Sequence, residues 1–166
     1  MISPELIRRY PFFAGLSHEH ITTLAKVAEE LNVGEGHYFF HEGDELTHFY
    51  IVLEGAVAIV MELPARDVQH KLAEQFTGEL RTREEVLSAI GPGEVFGWSA
   101  LVPPHQAMSS GKATTPCRGV AFDAKELFKI FDTDCGFGYV MMQKMAQVVR
   151  DRLRDMRTES LAHIVG

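Results

Sequence analysis

The 166 residues are 46% hydrophobic, enough for one domain with its own core and too few for two of ordinary size. Sixteen Lys and Arg against 23 Asp and Glu leave a formal charge of -7, which argues against a surface built to neutralise the phosphates of DNA. Two cysteines, Cys117 and Cys135, are too few for a disulfide framework and lack zinc-site spacing, so both are expected as reduced, buried thiols.

Ser3-Pro4 reads as a cap followed by a first-turn proline, opening a short helix through Leu6, Ile7 and Tyr10 that Pro11 breaks. Ser17 caps a second helix, with His20 where a capping-box acid would stand and Ile21, Leu24, Ala25 and Ala28 at helical spacing; Leu31 to Gly36 ends it. Charges at Glu5, Arg8 and Arg9 interrupt the start, and no run of about 18 apolar residues occurs anywhere. A cytoplasmic protein without a membrane span is therefore expected.

From His37 the pattern changes to alternating or continuous apolar runs bounded by Gly43-Asp44, Gly55, Gly91-Pro92-Gly93 and Pro103-Pro104. Strands are expected over residues 38–41, 48–53, 56–61, 86–90, 112–115 and 119–123, the rhythm of a roll or sandwich. A polar stretch, residues 62–83, interrupts it and is too long for an ordinary hairpin loop.

After Asp123 the helical period returns with Leu127, Phe128, Ile130 and Phe131, and Asp134 and Gly136 interrupt it before a long final helix. In that helix Met142, Ala146, Val149, Leu153, Met156 and Ser160 follow 4-3 spacing, the seam along which two helices interdigitate. A second stripe, Met141, Met145 and Val148, is available to pack on the roll. Because one face docks while the other still needs cover, a parallel homodimer through Met142, Ala146, Val149, Leu153 and Met156 is expected. The alternating charges of Arg150 to Arg157 read as a solvated flank.

Two motifs carry a resemblance. The first is Glu42-Gly43-Asp44-Glu45-Leu46-Thr47-His48-Phe49-Tyr50-Ile51-Val52-Leu53-Glu54-Gly55, a tight turn feeding an apolar strand that ends in a second glycine. The second is Gly93-Glu94-Val95-Phe96-Gly97-Trp98-Ser99-Ala100-Leu101. Together with the order of elements they resemble the cyclic-nucleotide-binding domain of the catabolite activator (Crp/Fnr) family and of cyclic-nucleotide-gated kinases and channels, over about the whole chain. The resemblance implies an α+β, mainly β fold: an antiparallel β-roll or jelly roll (37–123) with N-terminal helices (3–31) and C-terminal helices (124–164), the last a dimerisation helix.

It also implies that the second motif is a phosphate-binding cassette, in which backbone N–H groups at a short helix face a phosphate and an arginine adds bidentate charge. This chain departs from the cassette twice. Trp98 stands where the family has a ribose-binding glutamate, and the family arginine falls on Ala107, or on Gln106 if the gap is read one residue shorter. No arginine lies between Arg83 and Arg118, and Lys112 has the opposite strand parity from Ala107, so it is expected to point away. The expected ligand site is Phe96, Gly97, Trp98, Ser99, Ala100, Leu101, Gln106, Ala107, Met108 and Ser109, for a cyclic nucleotide or another small anionic ligand, with ordinary cyclic AMP binding weakened.

His37, His41 and His48 precede a Val-Leu-Glu-Gly turn, but their spacing does not match the histidine and glutamate pattern of cupin metal sites, so no metal is expected. Ser99, Cys117 and Cys135 come with no local signature of a nucleophile and its base, so no catalytic residue is assigned. With the chain ending at Gly166, soon after the seam, no DNA-reading element is expected. The leading expectation is a stand-alone regulatory sensor that signals through the dimeric helix. The alternatives are a ligand-free dimer that presents a surface to a protein partner and, more remotely, a cupin-like metal enzyme.

Overall fold

The computed structural model describes residues 1–64 and 82–165. Helix α1 (Pro4–Arg8) begins on Pro4, whose missing N–H is not needed in a first turn, and Pro11 opens a 3-10 turn, Pro11–Phe13. Helix α2 (His18–Lys26) is capped by Ser17, whose hydroxyl accepts from the His20 amide at 3.1 Å, as its position predicts. Ile7, Phe13, Ile21, Leu24 and Ala25 are buried from this region.

Eight strands follow: β1 (Ala28–Val33), β2 (Tyr38–Phe40), β3 (His48–Glu54), β4 (Val57–Pro64), β5 (Thr82–Ile90), β6 (Val95–Phe96), β7 (Ser110–Ala113) and β8 (Cys117–Asp123). They form two four-stranded antiparallel sheets, in the orders β1-β8-β3-β6 and β2-β7-β4-β5. The expected mainly β roll with a long C-terminal helix is the fold. Phe49, Ile51 and Val52 of β3 and Val120 and Phe122 of β8 are buried, and Phe122 stacks on Phe49 at 4.8 Å and packs against Phe13 of the N-terminal region at 5.5 Å. Gly55 ends β3 with φ +91, and a Cβ there would lie 2.3 Å from the Pro116 carbonyl oxygen. Only glycine fits.

Several sequence expectations need correction. Residues 28–33 are not the end of the second helix but a strand, because Ala28 to Val33 pair in register with Phe122 to Cys117. The strand expected at 112–115 lies at 110–113, and the pair Val95–Phe96, unassigned above, joins the edge of β3. Of the polar stretch 62–83, residues 65–81 lie outside the described residues, while its ends extend β4 and β5. Cys117 is buried, but Cys135 is exposed at the first residue of the last helix.

Helix α3 (Ala124–Phe131) is capped by Asp123, which accepts from the Lys125 and Glu126 amides. Asp134 then accepts from Phe137 N at the start of α4 (Cys135–Val165) and pairs with His20 at 3.1 Å, while the His20 ring stacks on Phe137. The Phe137 amide, and after it His20, hold the Asp134 carboxyl below its ordinary range. This cluster ties α2 to the root of α4. The stripe Met141, Met145 and Val148 is buried against the roll. Among the described residues no helix is long and apolar enough to cross a membrane.

Candidate functional site: a cavity between the roll and the last helix

A cavity of about 220 Å³ lies between the second sheet, the β6 turn and α4. Its sheet side comes from Phe40 of β2, Ile59 and Met61 of β4, and Leu87 and Ser88 of β5. Ile59 and Met61 are two apart, so one strand face presents both. Leu87 and Ser88 are consecutive and would ordinarily point to opposite faces. They share the cavity because the register jumps from Ile59↔Ser88 to Val60↔Val86, a β-bulge that leaves Leu87 unpaired.

The second wall is the segment after β6. Phe96 pairs with Tyr50, and the two rings stack at 5.0 Å. Burial raises the Tyr50 phenol. Gly97 then takes φ +75, and a Cβ there would press on Tyr50 Cδ2 at 3.1 Å and the His48 carbonyl at 3.3 Å. The chain can therefore turn into the 3-10 helix Trp98–Ala100. His105 Nδ1 hydrogen-bonds to the Ala100 carbonyl at 3.0 Å, which holds that short helix against the following loop.

The loop itself is laced to the first motif. The Leu46 amide donates to the His105 carbonyl, Ala107 N to the Asp44 carbonyl, and Gly43 N to the Ala107 carbonyl, at 2.7–2.8 Å. The first motif and the loop after the second, some sixty positions apart, thus meet through backbone hydrogen bonds beside Ala107, Met108 and Ser109 on the cavity. Of the ten residues expected at the site, Phe96, Gly97, Trp98, Ser99, Ala107, Met108 and Ser109 line it. Ala100 and Leu101 are buried in the core beneath it, and Gln106 faces solvent. Lys112 points away, as its parity predicts: it pairs with Glu84 at 3.0 Å and lies over the Tyr38 ring. The Tyr38 hydroxyl, and then Lys112, lower the Glu84 carboxyl.

Sequence reasoning missed the third wall. Val149, Arg152, Leu153 and Met156 of α4 complete the lining, so three residues expected in a dimer seam also face the cavity. Arg152, expected on a solvated flank, is instead only 14% exposed in its side chain. Its Nη2 donates to the Val95 carbonyl at 2.8 Å, Nη1 lies 3.5 Å from Asp155 Oδ2, and Nε is buried without a hydrogen-bond partner. Ser88 Oγ donates to the same Asp155 oxygen at 2.9 Å. A readable signal existed: the docking stripe 141, 145, 148 continues with the same 4-3 spacing to 152 and 155.

The residues expected in the seam keep solvent exposure. Met142, Leu153 and Met156 are 36%, 58% and 42% exposed. His37 packs edge-on to Phe39, His41 stacks on Tyr38 and His48 Nδ1 bonds Thr47 Oγ1. Among the described residues no three His, Cys, Asp or Glu side chains converge.

Comparison with known proteins agrees with this architecture. The family model described as the cyclic nucleotide-binding domain matches residues 30–134. A CRP-like cAMP-activated global transcriptional regulator of Mycobacterium tuberculosis is 27% identical over 123 residues, 74% of this chain and 48% of that protein. The chain thus spans about half the length of the curated relatives it matches. A structure from Geobacter metallireducens GS-15, solved as a candidate cyclic nucleotide-binding protein, is 29% identical with a TM-score of 0.75, covering 92% of this chain and 99% of that one. The Thermus thermophilus catabolite activator protein shares the fold at 20% identity and a TM-score of 0.63, over 92% of this chain and 63% of that one.

Proposed function

The chain belongs to the cyclic nucleotide-binding domain family, and from that premise we propose that it is a cytoplasmic regulatory sensor, a homodimer joined along α4 whose cavity binds a small ligand. One observation carries the reading: Val149, Leu153 and Met156 line the cavity and lie on the heptad seam. A ligand that fills the cavity touches the residues on which a second helix would rest. Occupancy and helix pairing then share contacts, and a ligand that favours one pairing over another shifts the population toward it.

The cassette changes set the ligand apart from the family pattern. Ala107 lines the cavity where the family arginine would stand, and Trp98 takes the place of the family glutamate. A lost charge-assisted bond to phosphate removes about 1.5–3 kcal/mol, which weakens cyclic AMP at least about tenfold relative to a complete cassette. The open cavity weighs against a ligand-free interaction module plugged by Trp98, which is itself only half-buried. With a net charge of -7 the domain is not proposed to hold DNA itself. Neither catalysis nor a metal enters the proposal, and its output is a change in how two α4 helices pair.

Thermal-shift and calorimetric titration with cyclic mononucleotides tests it, on the native chain and on a Trp98→Glu, Ala107→Arg double variant. The double variant is expected to bind cyclic AMP at least about tenfold more tightly than the native chain. If neither protein responds to any small anion, the sensor reading is abandoned.

A further inference from the structure

Arg152 is the only charged residue among the described residues that line the cavity. Its surroundings leave it under-used. Asp155 lies 3.5 Å from one Nη nitrogen, a single ionic contact rather than a bidentate pair, and the Val95 carbonyl takes a bond from the other. Nε is buried and unpartnered. A buried donor without a partner is costly, and guanidinium edges suit two oxygens of one anion. The rest of the lining is mainly apolar, with Phe40, Ile59, Met61, Leu87 and Phe96 among it, and carries no other charge among the described residues.

We propose that Arg152 is the anion grip of this cavity, so that the charge absent at Ala107 on the roll is supplied by the last helix. This rests on the sensor reading above and deepens it. The ligand class follows: a small molecule with one phosphate or carboxylate group on an apolar or aromatic body. A cavity of 220 Å³ is below the roughly 300–1,000 Å³ usual for drug-sized ligands, which favours a mononucleotide or smaller over a dinucleotide. The position of the grip matters as much as its charge. Nη2 holds the Val95 carbonyl of β6, and Asp155 is held in turn by Ser88 of β5. An anion that recruits the guanidinium competes with both ties and acts directly on the helix that carries the seam.

Two measurements on the full chain test this separately. Trp98 is the only tryptophan and lines the same cavity, so its fluorescence reports local anion access. The ratio of iodide to acrylamide quenching is expected to fall about twofold or more in Arg152→Gln and to persist in Arg152→Lys, which keeps the charge. An unchanged ratio in a Gln variant of native circular dichroism overturns the proposal whatever the ligand. The second measurement is calorimetry with cyclic AMP, 2-naphthoate and uncharged adenosine. The anion that the native chain binds is expected to weaken at least about tenfold in Arg152→Gln, and adenosine to bind both alike. Equal anion affinity in the two proteins overturns the grip and leaves the sensor reading intact. A fall in iodide quenching with no anion bound supports the grip and sinks the sensor reading.

Discussion

Helix α4 carries two apolar stripes, one residue apart in phase, with opposite surroundings. Met141 and Met145 are fully buried against the roll, whereas Met142, Leu153 and Met156 are partly exposed, the last two also lining the cavity. The residue types are nearly the same. What differs is that the docked stripe finds its complement inside the chain, and that docking sets the rotation of the whole helix. Rotation then decides the rest of α4: it leaves the second stripe partly exposed, with Val149, Leu153 and Met156 on the cavity, and it brings Arg152 and Asp155, next along the docked stripe, onto the roll.

The contrast can be broken most forcefully on the buried side. Met145→Ala is expected to cost about 2–5 kcal/mol by thermal or urea denaturation, because the lost side chain leaves a hole in a wholly buried site. The matching change on the outer stripe, Leu153→Glu, should leave the fold within about 0.5 kcal/mol of the native chain. It should also give monomers by light scattering. A dimer that survives this change refutes the seam, and a large loss of stability would mean that the outer stripe is not free.

A finer probe concerns the ties between the helix and the sheet. Ser88→Ala removes the hydroxyl that donates to Asp155 and should lower stability by about 0.5–1.5 kcal/mol. No change would mean that the tie contributes nothing to the seating of the helix. The smallest effect is expected at the root of α4. The Asp134 carboxyl titrates lower folded than unfolded, so its contribution is present above its ordinary range and is lost as pH falls through its depressed value, below roughly pH 4. Asp134→Asn should therefore flatten the acid limb of a stability profile, with the variant less stable than the native chain near neutral pH and the two converging at acid pH; a difference undiminished at acid pH would contradict the linkage.

Local chemistry made much of this legible beforehand. Ser17 and Pro4 announce helix starts because capping and a missing N–H act within one turn. Gly55 marks backbone that no side chain tolerates, and Gly97 a left-handed turn that side chains rarely adopt. The 4-3 repeats of α4 disclose two stripes, and strand parity disposes of Lys112.

The misses share a cause. Residues 28–33 read as a continuation of α2, since Ala28 falls on its apolar face and Glu29-Glu30-Leu31-Asn32 has little strand character. Pairing with β8, ninety residues away, overrides that weak preference. Gln106 and Ala107 are neighbours in sequence, yet only the backbone ladder to Gly43–Leu46 decides that the first faces solvent and the second the cavity. Arg152 looks like a solvated charge because its neighbours alternate in sign; burial depends on what α4 docks against, which periodicity does not reveal.

The chain by itself therefore determined most of the elements, by short-range spacing and turn chemistry, and the altered cassette, by residue identity, while its two motifs carried the resemblance to the family. Tertiary structure alone decided which α4 face is covered, that Val149, Leu153 and Met156 wall the cavity, and that a guanidinium lines it. Those depend on the rotation and seating of one helix on two sheets, a balance of packing among residues far apart in sequence.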